Sequence, residues 1–320
     1  MQILITGAGG FIGQLLAEHL LNAGHTVTLV DIFKPPIPAK ASAHSLSATC
    51  VAADLSKPSD ATSILSASLS TIYIFHGIMS AGSEADFSLG YNVNLHSTTN
   101  LLSQIRQSCK PGVRVVYASS TAIYGQPLPS MPSEATVPTP SSSYGTQKVM
   151  IEYLINDYTR RGYINGLSLR FPTISVRPGK PTQAASSWMS GIIREPLQGK
   201  ESSLPCGDDF KAWIGSPRML VRCLMKTLDM ERDCMPLHVR QVNLPGITVS
   251  VKEMLQALEA VGGKKAVDLV KREEASEEIR NMLDSWPTEF DVSKALSLGF
   301  EGDQSFQSAV QDFADSLKEQ

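Results

Sequence analysis

Gln2-Ile3-Leu4-Ile5-Thr6-Gly7-Ala8-Gly9-Gly10-Phe11-Ile12-Gly13 decides the fold. Ile3 to Ile5 form an unbroken apolar run. Glycines follow at 7, 9, 10 and 13, and then Ile12, Leu15, Leu16, His19, Leu20 and Ala23 recur at one-sided helical spacing. The order is strand, tight loop, helix. Gly7 permits the turn, Gly10 lets backbone approach a pyrophosphate, and Gly13 lets the helix close on the sheet. Phe11 and Ile12 open a helix whose free N–H groups and dipole suit phosphate. Glycine runs also occur in plain turns, so the surrounding sequence has to carry the reading.

That context is a second strand, Thr26 to Asp31, ending in an acid. Asp31, with Ile32 beside it, can accept hydrogen bonds from both adenosine ribose hydroxyls and repels a 2′-phosphate. NAD is therefore expected over NADP. Further strands are predicted at Thr49 to Ala52, Thr71 to Phe75, Val113 to Ala118 and Gly166 to Arg170. Their consecutive apolar residues fit parallel strands covered on both faces. Strands alternating with helices predict an α/β, doubly wound parallel sheet. Asp54-Leu55 follows the third strand. Asp54 can hold the adenine amino group with Leu55 over the ring, or it can cap a helix ahead of Lys57-Pro58.

The chemistry is carried by Ser143-Tyr144-Gly145-Thr146-Gln147-Lys148. Tyr144 and Lys148, four apart, share a helix face. An ammonium beside a phenol favours phenolate, lowers its pKa and makes tyrosine a usable acid/base. The same lysine can bond the nicotinamide ribose. Alone, such a pair is usually a solvated helix face. The second component is Tyr117-Ala118-Ser119-Ser120-Thr121, at the end of the fifth strand. There Ser120 can orient the reacting oxygen, with Thr121 beside the substrate. Asn94, polar in an apolar helix, either relays protons through water to Lys148 or makes a structural hydrogen bond.

Elsewhere the sequence mostly excludes. Of its 320 residues 42% are hydrophobic and 18% charged, and the net charge of −3 gives no basis for a nucleic-acid partner. The five cysteines are widely spaced, without a C-x-x-C pair. Most of them are read as buried small hydrophobes in a reducing compartment, with no metal site. Neither a signal-peptide pattern nor a membrane-spanning apolar run is visible, so a cytoplasmic location is expected. Lys34 to Pro38 and Gln126 to Ser142 are proline-rich loops. Residues 1–171 are expected to form the dinucleotide-binding domain. Residues 172–320 are expected to form a smaller, mostly helical substrate-binding part, some of which returns to the sheet. Ser250 and Glu253 predict a capping box there.

Taken in order, the glycine loop, Asp31, Ser120 and Tyr144/Lys148 resemble the extended short-chain dehydrogenase/reductase family, also called the NAD-dependent epimerase/dehydratase family. The resemblance implies a Rossmann fold, NAD, a catalytic set of Ser120, Tyr144, Lys148 and Asn94, and a homodimer. Downstream, Leu169-Arg170-Phe171-Pro172-Thr173, Val176-Arg177-Pro178-Gly179-Lys180-Pro181, Ala184-Ala185-Ser186-Ser187 and Ser190 to Leu197 look like the D-erythronate dehydrogenase branch. That branch oxidises a four-carbon sugar acid at its second carbon. It implies Pro172 and Thr173 against the nicotinamide, and His76, Gly77, Ile78 and Ser80 beside cofactor and substrate. Ser186, Ser187, Arg194, Trp213 and Arg218 become pocket candidates, although Trp213 fits the core equally well. Arginine suits a carboxylate through bidentate bonding. Two departures stand out. The strand end reads His76-Gly77-Ile78-Met79 where H-x-A-A is usual, and Ser97 stands where glycine is usual.

Other readings stay open. A nucleotide-sugar epimerase shares the fold. A dehydratase would carry Asp-Glu after the active-site hydroxyl, where Thr121-Ala122 stand. A ketoreductase of a larger metabolite could use Ile78, Met79 and Trp188. An NAD-sensing scaffold would need no catalysis.

Overall fold

The computed structural model describes residues 1–180, 186–273, 277, 283 and 285–318. Pro181, Ala184 and Ala185, quoted above, lie outside them. The described chain divides into two compact units. Residues 1–123, 140–170 and 223–242 make the first. Residues 124–139, 171–222 and 243–320 make the second.

The first unit is built on strands β1 (Gln2–Thr6), β2 (Thr26–Asp31), β3 (Ala48–Ala52), β4 (Thr71–Ile74), β5 (Val113–Ser120) and β6 (Ile164–Phe171). The later strands are β7 (Thr173–Ile174), β8 (Ser202–Leu204), β9 (Lys211–Gly215), β10 (Gln241–Asn243), β11 (Ile247–Ser250) and β12 (Val270–Arg272). The main sheet has seven strands in the order β10-β6-β5-β4-β1-β2-β3. Pairs β1–β2, β2–β3, β1–β4 and β4–β5 run parallel. The order reverses between β1 and β4. Ligands bind at the carboxyl ends of strands flanking such a switch point, and the glycine loop and His76 leave the sheet there.

Helices α1 (Phe11–Asn22), α2 (Pro58–Ser63), α3 (Ser80–Ala85), α4 (Phe87–Gly90), α5 (Ser97–Ser108) and α6 (Ser143–Arg160) belong to this unit. A π-helical turn, Tyr91–His96, joins α4 to α5. Leu4, Ile72, Val115, Leu101, Ile151 and Ile155 share one core cluster, with Leu55 among them. All eight residues of β6 are buried, the polar Asn165, Ser168 and Arg170 among them, as in a strand covered on both faces.

The second unit contains α7 (Ser187–Leu197), α9 (Val251–Gly262) and α10 (Lys264–Val267). The chain crosses between units within α8 (Pro217–Lys226). It also carries a three-stranded sheet, β11-β9-β7, and a two-stranded one, β12-β8. Met189, Ile192, Ile214, Met254 and Val310 lie in its core. The Ser250/Glu253 capping box opens α9 with both reciprocal hydrogen bonds made.

Candidate active site

The glycine loop is shaped by close backbone approach. Gly7 has φ +67°, and a Cβ on it would lie 2.6 Å from the His76 nitrogen and from the Phe75 carbonyl carbon. A Cβ at Gly13 would lie 2.5 Å from the Gly7 oxygen. Gly10 caps α1 with no side chain, and the first turn holds no acid. The opening N–H groups of Phe11 and Ile12 therefore have no side-chain acceptor competing for them. Asp31 ties the loop to β2: Oδ2 accepts from Gly9 N and Oδ1 from Ile32 N, both at 2.8 Å. Carboxylate oxygens keep spare acceptor capacity after one bond each. A cradle that any Cβ would fill, an open helix N-terminus and a fixed acid fit a dinucleotide's pyrophosphate and ribose. Ile32 is exposed. So is Phe33, whose ring lies where a Cβ of Gly9 would be. Phe33 has no signal in the sequence beyond its place two residues after the acid.

Asp54 is engaged locally. Its Oδ1 accepts the Ser56 amide at 3.1 Å and hydroxyl at 2.7 Å, and its Oδ2 lies 3.5 Å from Lys57 Nζ. The residue capping α2 is Lys57, not Asp54.

Around Tyr144 the pleat of β5 sorts two adjacent serines, because successive side chains point to opposite faces. Ser120 lies beside the Tyr144 hydroxyl, where it favours the phenolate, and accepts the Ala122 amide at 3.1 Å. Ser119 is buried and donates to Glu152 at 2.5 Å. Thr121 begins a short 3-10 turn after the strand. Helix α6 carries Tyr144, Lys148 and Glu152 one turn apart on one face, and all three are buried. The Lys148 ammonium donates to the Ala118 carbonyl at 2.7 Å, 4.6 Å from the Tyr117 ring centroid and 5.3 Å from that of Tyr144. Glu152 and Arg170 form a two-armed ion pair at 2.9 and 2.7 Å. Glu152 and Arg170 were not picked out as site residues in the sequence, although Glu152 continues the i, i+4 series from Tyr144.

The electrostatics differ from the simple expectation. Burial pushes the Tyr144 phenol up to about 12, with only the Ser120 bond acting downward. Burial pushes Lys148 down to about 7, with Glu152 opposing. Desolvation outweighs the attraction of ammonium for phenolate here, because both groups are shut away from water.

Asn94 lies in the π-helical turn, a distortion frequent at functional sites. Its Oδ1 accepts Ile78 N at 2.7 Å. Its Nδ2 is placed against Ile78 O at 3.0 Å, Ser83 Oγ at 3.1 Å and Gln147 Oε1 at 2.6 Å. Of the two roles expected, these bonds show the structural one. The amide clamps both ends of the Ile78 peptide and links it to α6. Gly77 permits this, since a Cβ there would meet Asn94 Oδ1 at 2.9 Å. His76 is held at both nitrogens, Nδ1 by Thr6 Oγ1 at 2.8 Å and Nε2 by Ser97 Oγ at 3.0 Å. Desolvation, then the Lys148 charge, pushes it down to about 3. Ser80 opens α3.

The remaining candidates lie in the second unit. Thr173 starts β7, and Pro172 packs where a Cβ of Gly215 would be. Ser186 precedes α7 without capping it, and Ser187 is its first residue. Arg194 is buried, with Nε and Nη2 on Glu195 at 2.8 Å and Nη1 on the Arg177 carbonyl at 3.0 Å. Nε and Nη1 thus face protein acceptors, whereas Nη2 lies near Glu195 without a hydrogen bond among the described residues. Trp213 packs at a tilt against Phe290, ring centroids 5.5 Å apart, and Arg218 pairs with Asp312 at 3.2 Å in an exposed position. No group of metal-ligating side chains occurs among the described residues.

Comparison with known proteins decides the family. Residues 3–214 match the model of the NAD dependent epimerase/dehydratase family. The chain belongs to that family. It is an NAD-dependent enzyme of the oxidoreductase type, as the glycine loop and the Tyr144/Lys148 pair implied. Among its relatives, a D-erythronate dehydrogenase of Haemophilus influenzae is 38% identical over 318 residues, 98% of each chain. Another, from Cupriavidus necator, is 37% identical over 97% of each. A solved structure described as a nucleoside-diphosphate-sugar epimerase, from Agrobacterium tumefaciens, superposes with a TM-score of 0.89. It is 37% identical and spans 97% of this chain and 92% of its own.

Proposed function

We propose that this family member is a dehydrogenase of a small hydroxy acid, with a four-carbon sugar acid such as D-erythronate as substrate. The observation that carries the reading is the near full-length likeness to two D-erythronate dehydrogenases, in a chain whose Ser120, Tyr144 and Lys148 are assembled on one strand end and one helix. Gly7, Gly10, Gly13 and Asp31 would hold NAD, which supplies the hydride acceptor when bound. The protein's own work is proton handling. Ser120 orients the substrate hydroxyl toward Tyr144, and the Tyr144 oxygen takes its proton. Lys148, anchored on the Ala118 carbonyl, holds positive charge one helical turn away. A phenol lying near 12 with Ser120 and Lys148 already beside it needs further positive charge nearby to serve as base nearer neutrality.

Four-carbon aldonates, ketones and UDP-sugars, each assayed for change in NADH absorbance, test the reading. D-Erythronate with NAD should give net NADH. UDP-sugar conversion without net NADH would establish an epimerase instead, the description borne by the Agrobacterium structure. The same reading carries a homodimer and a cytoplasmic location, for which sedimentation and cell fractionation are the measurements. No helix among the described residues is long and apolar enough to cross a membrane.

A further inference from the structure

One part-buried arginine in the second unit has no partner for its guanidinium among the described residues. Arg177 follows β7. Its backbone N–H donates to Ser190 Oγ at 3.1 Å, and its carbonyl accepts Arg194 Nη1 at 3.0 Å. Its guanidinium makes no hydrogen bond or ion pair among the described residues, and Nη2 is buried without an acceptor. Guanidinium cannot shed its proton to escape burial. A buried donor without an acceptor, worse if charged, is a standing cost unless something binds it.

Its neighbours deepen the deficit. Arg194 sits close enough to repel Arg177, and burial and that repulsion together hold the Arg177 pKa below the usual arginine value. No carboxylate among the described residues offsets them. Glu195, the nearby acid, accepts from Arg194 Nε and pairs with that guanidinium, whose Nη2 is buried without a hydrogen bond among the described residues. Arg194 and Glu195 therefore cancel, and the Arg177 charge is left over. Two further features point the same way. The indole N–H of Trp188, in the first turn of α7, is buried with no acceptor. The Ser186 side chain does not cap α7, whose first turn is tied to Arg177 through Ser190. A free helix start adds partial positive charge.

We infer that Arg177 is the receptor for a small carboxylate in the second unit, with Arg194 as the strut that fixes its backbone rather than as the receptor itself. A guanidinium offers a planar fork that matches a carboxylate in two parallel bonds. That the carboxylate is the acid group of the oxidised substrate rests on the proposed function; that an anion binds here does not.

The test pairs binding with turnover, using sodium D-erythronate against erythritol, which has the hydroxyls but no charge, at fixed ionic strength. D-Erythronate should raise the melting temperature of the wild-type protein, and erythritol should not. In Arg177→Met the rise should vanish. Without added anion that variant should melt no lower than wild type, because an uncompensated cation has been removed. Arg177→Lys should keep part of the rise. In steady state, KM for D-erythronate should climb roughly 10- to 100-fold in Arg177→Met, as expected for loss of a charge-assisted pair, with kcat largely kept. A melting rise that survives in Arg177→Met overturns the inference. So does the absence of any rise in wild type. So does a fall in anion-free melting temperature in both variants, which would mark Arg177 as structural. Arg177-dependent stabilisation without NADH formation would sink the proposed function and leave this site standing. NADH formation with an unchanged KM in Arg177→Met would do the reverse.

Discussion

Replacing Glu152 by Gln removes the charge behind the active-site lysine while keeping the side chain's size. In the folded protein the Glu152 and Arg170 side chains are 1% and 2% exposed. Oε1 receives Ser119 and Arg170 Nε, and Oε2 receives Arg170 Nη2. Glutamine offers one neutral acceptor there and turns an NH₂ toward donors. Breaking one side of a buried pair costs about 3–5 kcal/mol, because the surviving charge stays buried. At ~2–4 °C of melting temperature per kcal/mol for a unit of this size, the expected fall is about 6–20 °C. The variant Glu152→Leu/Arg170→Met leaves no orphan charge and should lose less than Glu152→Gln alone. A second consequence reaches the site. Glu152 is the group that supports the Lys148 proton, so in Glu152→Gln the lysine should deprotonate at lower pH and the alkaline side of the kcat/KM profile should move down. Thermal and urea unfolding at pH 7, with pH profiles of both variants, provide the readouts. A Glu152→Gln protein as stable as wild type, or a double variant as unstable as the single one, would refute the reasoning.

Tyr144→Phe should abolish turnover while a fluorescence titration shows unchanged NAD affinity; surviving turnover would remove Tyr144 from the proton-handling role. Lys148 sits at about 7 in the folded protein against an ordinary 10.5. The unfolded chain therefore binds the extra proton between those values, and this group's contribution makes stability rise with pH across that window, by at most roughly 1.4 kcal/mol per unit. The stability of wild type minus that of Lys148→Met, from urea midpoints at pH 7 and 9, should accordingly grow with pH. A Cβ at Gly145 would lie 2.2 Å from the Ala122 carbonyl, so Gly145→Ala should shift Tyr144 off Ser120 and lower kcat about a hundredfold, with NAD binding kept. Asp31 should make kcat/KM larger with NAD than with NADP, and Asp31→Ser should narrow the gap; an NADP preference in wild type would contradict the role given to its carboxylate.

The parts of this molecule that were legible in the sequence are those governed by local rules. A glycine loop between strand and helix, consecutive apolar strands and a capping box are short-range signals. The sheet, α1 and the start of α9 follow them closely. Ser120, Tyr144 and Lys148 were readable because strand end and helix face fix their directions. What escaped depends on distant partners. Gly145 looks like an ordinary turn residue until the Ala122 carbonyl arrives beside it. Arg177 is one arginine among many until its described neighbours prove to lack a free carboxylate. The upward shift of Tyr144 could not be read from the Tyr-Lys spacing, because spacing reports proximity and says nothing of water.

The two departures from the family pattern prove to be parts of one arrangement. The Ser97 hydroxyl donates to the Val93 carbonyl, so toward His76 it can only accept. Nε2 of His76 must then carry the proton, which leaves Nδ1 to accept from Thr6 on β1. A glycine at 97 would leave that N–H only Thr98 Oγ1, at 3.2 Å. A held, neutral imidazole spans the two strands that flank the switch point. One residue on, the missing Cβ of Gly77 gives Asn94 Oδ1 the room to reach the Ile78 amide. His76-Gly77-Ile78 is thus pinned by Thr6, Ser97 and Asn94, and Asn94 passes the constraint to α6 through Gln147. Ser97 and Ile78 depart from the family pattern in sequence but, with Gly77 at its open position, are mutually consistent in space. They fix the β4 end from both sides while leaving the Ser120/Tyr144 pair intact.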